Sequence, residues 1–246
     1  MAVLDPTSGY RRLDSWILAS IVQFATYRFC EKFLTHKLDP TGRQYDQMTQ
    51  AARSGKVNIV EGSARSATSK KTEMTLTDVA RASLNELVSD YEDWLLRQGI
   101  VPWHKDSEEA KAVFAVRLDK PNYEDDWVYD SCVHLLKQQS KFDRWLHSDD
   151  SIVVANCLII LIRRTIKMLA GQLQTQIENF EKEGGFHEKL TQIRTEARAK
   201  NEDAPICPNC SKPMTIRKAS TGKNAGKEFW GCTGYPECKS VVNVEK

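Results

Sequence analysis

The chain has 246 residues, of which 28% are charged and 41% apolar, and its formal net charge is +2. This is ordinary globular material, long enough for one sizeable core with a small appendage. So small a charge excludes a polyanion partner held by the whole-chain field; local patches must do that work.

Residues 10–37 place Leu13, Ile17, Ile21, Phe24, Phe33 and Leu34 near helical spacing, which predicts a first helix. Asp39-Pro40-Thr41-Gly42 then makes a turn, since proline cannot continue a helix. A second helix is predicted over 43–60, with Met48, Ala51, Ala52, Ile59 and Val60 on its apolar face. Glu61-Gly62-Ser63 is expected to interrupt it, with Asn58, Glu61 and Ser63 hydrogen-bonding the freed backbone. A third helix is predicted from Ser69 to residue 98, ended by Gly99 as a C-cap with Pro102 beyond.

Residues 100–150 read as irregular and acidic, with short helices over 108–118 and 127–146. A long helix is predicted over 152–182. Its apolar run, 152–162, contains Asn156 and Cys157 and covers about half the roughly 20 residues of a membrane span. It reads as a buried core helix of a soluble protein. Residues 1–8 lack the basic and apolar regions of a signal peptide. Gly184-Gly185 is a break, and 186–200 predicts one more charged helix before a linker at 201–205. From Ile206 onward cysteine, glycine, lysine and β-formers take over. The expected domains are therefore 1–183, a helical linker over 184–205, and 206–246.

Four of the seven cysteines form a set: Cys207 and Cys210, separated by two residues, then Cys232 and Cys238, separated by five. Zinc takes four thiolates in a tetrahedron, and a domain this small needs the metal to fold. Four cysteines leave no open position for water, so the zinc is expected to be structural rather than catalytic. Cys30, Cys132 and Cys157 sit singly in apolar helical surroundings and are expected in the core. This distribution predicts a reducing, cytoplasmic location.

ICPNCSKPMTIRKASTGKNAGKEFWGCTGYPECKS, from Ile206, resembles the zinc ribbons at the C-terminus of type IA DNA topoisomerases. The carrying features are Cys-Pro-x-Cys, Pro-Met, Gly-Lys-x-x-Gly-Lys, an aromatic pair before Gly-Cys, and Tyr-Pro-x-Cys. The resemblance implies binding of single-stranded nucleic acid, chiefly DNA; the topoisomerase body is absent. The residues are compatible with it. Lys212, Arg217, Lys218, Lys223 and Lys227 occur with no acid among them, and aromatics beside such a surface can stack on bases. Phe229 and Trp230 point to opposite faces of a strand, so one is core and the other available. Trp230 and Tyr235 are the candidate base platforms.

QYDQMTQAARSGKVNIVEGSARSATSKKTEMTLTDVARASLNEL, residues 44–87, resembles the four-helix-bundle proteins encoded in bacterial 23S rRNA intervening sequences, a group that includes the accessory variability protein of diversity-generating retroelements. The fold implied is mainly α: an antiparallel four-helix bundle with 100–150 as an inserted segment, followed by the small β zinc ribbon. The resemblance also implies a homo-oligomer, a pentameric ring, that partners a reverse transcriptase and binds nucleic acid. Arg53, Lys56, Arg65, Lys70 and Lys71, with Glu61 as the one acid among them, are compatible with phosphate contacts. The five histidines have no metal-site spacing, and no nucleotide loop or nucleophile elbow is present. The sequence thus predicts a non-catalytic nucleic-acid-binding accessory protein. The alternative is a protein interaction scaffold in which the ribbon and the acidic segment recruit an enzyme.

Overall fold

The computed structural model describes residues 9–124, 126–183, 191, 204–219 and 226–243. The chain divides into two compact units, Met1–Lys182 and Glu183–Lys246. The first is helical and the second carries a small antiparallel sheet. The charged helix expected over 186–200 and the linker after it fall almost wholly outside the described residues.

The helical unit opens with a 3-10 turn, Gly9–Arg12, followed by α1 (Asp14–Phe33), α2 (Arg43–Arg65) and α3 (Lys70–Leu96). α4 (Glu108–Ala115), α5 (Trp127–Ser140), the single-turn α6 (Asp143–Leu146) and the long α7 (Ser151–Glu183) complete it. The second helix does not stop at Glu61-Gly62-Ser63. Gly62 is buried there, with Leu76 Cβ 3.4 Å and the Glu73 carbonyl oxygen 3.5 Å from where its own Cβ would stand. The glycine serves close approach of α3, not a break. Asn58 accordingly bonds within the helix, donating to the Ser54 carbonyl at 2.9 Å. α3 begins one residue after its predicted start, with Ser69 as its cap: Ser69 Oγ accepts the Thr72 N–H at 3.2 Å. Ser69→Ala should cost about 1 kcal/mol of stability in denaturant unfolding of the helical unit.

α2 and α3 run antiparallel, since Ser54 meets Ser83 while Gly62 meets Leu76. α3 and α7 do likewise: Arg163 reaches Glu92 at 2.6 Å, and Gln176 donates to Glu73 at 3.1 Å. α1 joins α3 through Phe29, whose ring lies edge-on to Tyr91 and Trp94, and through the Tyr91 hydroxyl, which donates to Thr26. The core comprises Ile17, Leu18, Ile21, Phe29, Leu84, Leu87, Leu158 and Leu161, all fully buried, with their neighbours.

The 100–150 segment belongs to that same core. Ala110, Val113 and Phe142 are buried within it. Asn156, the polar residue inside the apolar run, explains part of the attachment: its Oδ1 accepts the Trp103 N–H at 2.7 Å. Arg164 donates to the Val116 carbonyl at 3.1 Å. The helix expected over 127–146 is divided because Phe142 turns into the core between α5 and α6. Among the described residues, no helix is long and apolar enough to cross a membrane.

The C-terminal sheet has the order β1 (Met214–Lys218), β2 (Glu228–Cys232), β3 (Val241–Asn243), all antiparallel. Met214 pairs with Cys232 and Arg217 with Phe229; Trp230 pairs with Val242.

Candidate metal centre and nucleic-acid surface

Two turns bring the four cysteines together. In the first, the Ser211 N–H donates to the Cys207 carbonyl and the Cys207 N–H to the Lys212 carbonyl, with Ser211 at φ 57°. In the second, β2 ends at Cys232, the Cys238 N–H donates to the Gly234 carbonyl, and the Cys232 N–H donates to the Ser240 carbonyl. Backbone hydrogen bonds of the folded ribbon thus direct all four cysteine side chains toward one point.

The Sγ atoms of Cys207 and Cys238 lie 3.7 Å apart, and those of Cys210 and Cys232 3.3 Å apart. All four ligand atoms fall within 4.8 Å of one another. Zn–S bonds of about 2.3 Å in a tetrahedron require sulfur separations of about 3.8 Å, so the set fits zinc. The separations are far too long for disulfides, whose bonds are about 2.05 Å. Among the described residues this is the only group of three or more His, Cys, Asp or Glu side chains placed to hold a metal.

The thiols are not equivalent. Burial opposes charge on Cys207, but the N–H groups of Asn209 and Cys210 outweigh it and bring its pKa down to about 6. At Cys232 the Gly234 N–H, 3.2 Å from Sγ, favours the thiolate. Burial and the three neighbouring sulfurs nevertheless push that pKa up to about 12. Cys238 is also raised; the Ser240 backbone favours its thiolate, but the neighbouring sulfurs and burial prevail.

Residues 204–246 match the family model described as topoisomerase DNA binding C4 zinc finger. The C-terminal unit carries a topoisomerase-type C4 zinc ribbon. No curated protein and no solved structure matches the chain. The ribbon's four cysteines form its structural zinc site, and zinc bound there would cross-link the two turns with no coordination position left for water.

The sheet has two chemically different faces. Cys232, Trp230 and Met214 share the metal side, and Trp230 and Val242 pack on the buried Cys207, Met214 and Cys232. This corrects the expectation for Trp230: it is half-buried core of the metal site, not an open platform. Phe229 lies on the opposite face, beside Arg217. Arg217, Phe229, Gly231, Tyr235, Lys239 and Val241, together with Ser240 and the zinc ligands Cys232 and Cys238, line a shallow groove of about 200 Å³ that runs from this face to the edge of the metal site. Tyr235 is 59% exposed, and the Arg217 guanidinium carbon sits 5.6 Å from its ring centroid. Arg217 reaches that position by crossing Gly231; a Cβ there would stand 3.0 Å from Arg217 Cδ and 3.2 Å from Nε. Phe229 was identifiable from parity alone, because Cys232 must face the metal and Trp230, two residues earlier, faces the same side.

The other basic candidates of the ribbon are dispersed. Lys212 and Lys227 are exposed, Lys218 pairs across the sheet with Glu228 at 3.6 Å, and Lys223 lies outside the described residues. In the helical unit, Arg65 and Lys71 are exposed at the α2–α3 turn, while Lys70 is tied to the buried Glu73 at 3.1 Å. Arg53 is exposed one long step away, roughly 18 Å back along α2. Lys56 is half-buried with its ammonium 5.2 Å from the Phe24 ring centroid, and burial followed by Arg11 lowers its pKa. The five do not form one patch, because the unbroken α2 separates residues that sequence alone set side by side.

The lone cysteines divide as well. Cys30 and Cys157 are buried, and burial raises both thiols to about 12. Cys132, expected in the core, is exposed on α5.

Proposed function

We infer that the chain is a non-catalytic nucleic-acid-binding accessory protein whose ribbon holds single-stranded DNA or RNA. The observation that carries this reading is the open groove, where an exposed tyrosine and a phenylalanine flank a guanidinium. Aromatic rings accept bases of any sequence, and the cation tracks the phosphate. The match of residues 204–246 to a DNA-binding ribbon supports it. Four thiolates around one Zn²⁺ leave a net charge of about −2, which Lys212, packed beside Cys232 Sγ and Cys238 Cβ at Gly234, partly offsets. Arg217, on the open face, remains directed at the ligand.

The finer reading rests on the likeness of residues 44–87 and on the antiparallel pairing of α2 with α3 and α3 with α7. It gives the helical unit as a four-helix bundle, assembled as a homopentameric ring that partners a reverse transcriptase. Exposed Arg65 and Lys71 at one helix turn would then be repeated around the ring and add phosphate contacts.

Affinity for a labelled single-stranded oligonucleotide should fall steeply with salt, because each neutralised phosphate releases counterions. Charge reversal of Arg217 with Lys218, and separately of Lys70 with Lys71, should each flatten that slope. The first pair should have the larger effect, since Arg217 lies in the groove against the Tyr235 ring. Unchanged affinity in both variants, or no response of affinity to salt, would sink the proposal.

A further inference from the structure

α5 is turned inside out. Its buried side chains are Ser131, Leu135 and Gln138. Ser131 accepts from Arg11 at 2.8 Å, and Gln138 accepts the Asp119 N–H at 2.9 Å. The side facing away carries Val128, Tyr129, Cys132, Val133 and Leu136, all exposed, with Tyr129 at 66% and Leu136 at 64%. At roughly 100° per residue these five span one continuous arc of about 140° that contains no charged residue. A surface helix ordinarily directs such an arc at its own core. Directed outward, it marks a face that another macromolecule covers.

The border of the arc says what that macromolecule is. Asp130 and Lys137 lie on the same edge, seven residues and therefore about two turns apart. We propose that this face binds the same face of a second copy of the chain, with the two α5 helices antiparallel about a two-fold axis between Cys132 and Val133. That centre sets Tyr129 on the second copy's Leu136 and Cys132 beside the second copy's Val133. It also brings each Lys137 alongside the other copy's Asp130, on the same flank of the seam. A parallel pair would instead put the two Asp130–Lys137 edges on opposite flanks of the seam, where neither charge meets its opposite, so only the antiparallel pair gains the charge complementarity. Both groups are available for the role. Asp130 is held in place by the Glu124 N–H at 2.8 Å. Lys137 is 67% exposed and shares Asp119 with Lys141, at 3.3 Å and 2.7 Å, so Lys141 can retain that carboxylate when Lys137 turns outward. The contact adds to whatever assembly the rest of the helical unit makes, because a two-fold interface joins like with like.

Leu136→Lys in the full zinc-loaded chain should halve the particle mass seen by analytical ultracentrifugation at concentrations where the wild type is fully assembled. Its helical circular dichroism should be unchanged. Val133→Asp should do the same. A short bis-maleimide should join two wild-type copies through Cys132 by thiol addition at each ring, and Cys132→Ser should abolish the product. In the Cys132→Ser background, Tyr129→Cys mixed with Leu136→Cys should cross-link, and neither should cross-link with itself. Equal masses for wild type and Leu136→Lys at every concentration would overturn the proposal and leave the face to a different macromolecule. Self-linking of Tyr129→Cys would overturn the antiparallel arrangement.

Discussion

Stripping zinc is expected to unfold the C-terminal unit and leave the helical unit intact. Among the described residues, the apolar cluster of the ribbon is Cys207, Met214 and Cys232, with Cys210, Trp230, Cys238 and Val242 packed against it, so four of its seven members are metal ligands. Nothing in it could replace the metal. Structural zinc in small domains contributes about 10–16 kcal/mol at neutral pH, comparable to the roughly 5–15 kcal/mol that holds a whole domain folded. The helical unit, by contrast, has a core of its own, built from α1, α2, α3, α7 and the 100–150 segment. Chelation, or Cys232→Ser, should therefore abolish the dispersed amide signals of the sheet and reduce nucleic-acid affinity to that of the helical unit. The helical circular dichroism should persist. A ribbon that kept its sheet after complete removal of zinc would refute this.

The same site gives a pH dependence with a definite sign. Zinc takes thiolates, so protons compete with it. The thiols of an unfolded, metal-free ribbon are mostly protonated below about 8.5, so zinc binding must release protons. Zinc affinity should therefore fall as pH drops from about 8 to about 6. Chelator competition across this range measures it. An affinity independent of pH would mean that the thiols bind without losing protons.

What the sequence disclosed follows from which constraints are local. The zinc set was legible because ligand spacing is a property of a few adjacent residues, and the Ser69 cap was legible because the third residue of the helix lies within its reach. The Gly62 region was misread because a glycine that serves a neighbour looks the same as a glycine that ends a helix; only the approach of Leu76 separates them. That misreading propagated. With α2 unbroken, Arg53 and Arg65 stand far apart, and the basic run between 53 and 71 is not one patch. α5 was the deepest loss. Its apolar periodicity was visible, but periodicity reports that a helix has two faces and not which of them its own fold will cover. Here Arg11, inserted among the rings of Tyr10, Trp16 and Trp127 and bonded to Ser131, directs the polar face inward.

Tyr235→Ala should weaken single-strand binding about 5- to 150-fold, the equivalent of losing one stacked base at about 1–3 kcal/mol. Trp230→Ala should act differently: its ring packs on the metal-side cluster, so its loss should lower zinc retention and affinity together. The contrast separates a base platform from a structural ring, since Tyr235→Ala should keep its zinc. Gly231→Ala is the sharper test of the groove. Its new methyl would displace Arg217 from the path that carries it to the Tyr235 ring, without touching a cysteine. It should therefore reproduce much of the loss caused by Arg217→Ala while leaving metal content unchanged, and the Gly231→Ala/Arg217→Ala double variant should be no weaker than Arg217→Ala alone. Additive losses would mean that the two residues act independently, and that the guanidinium does its work from somewhere other than the face of Tyr235.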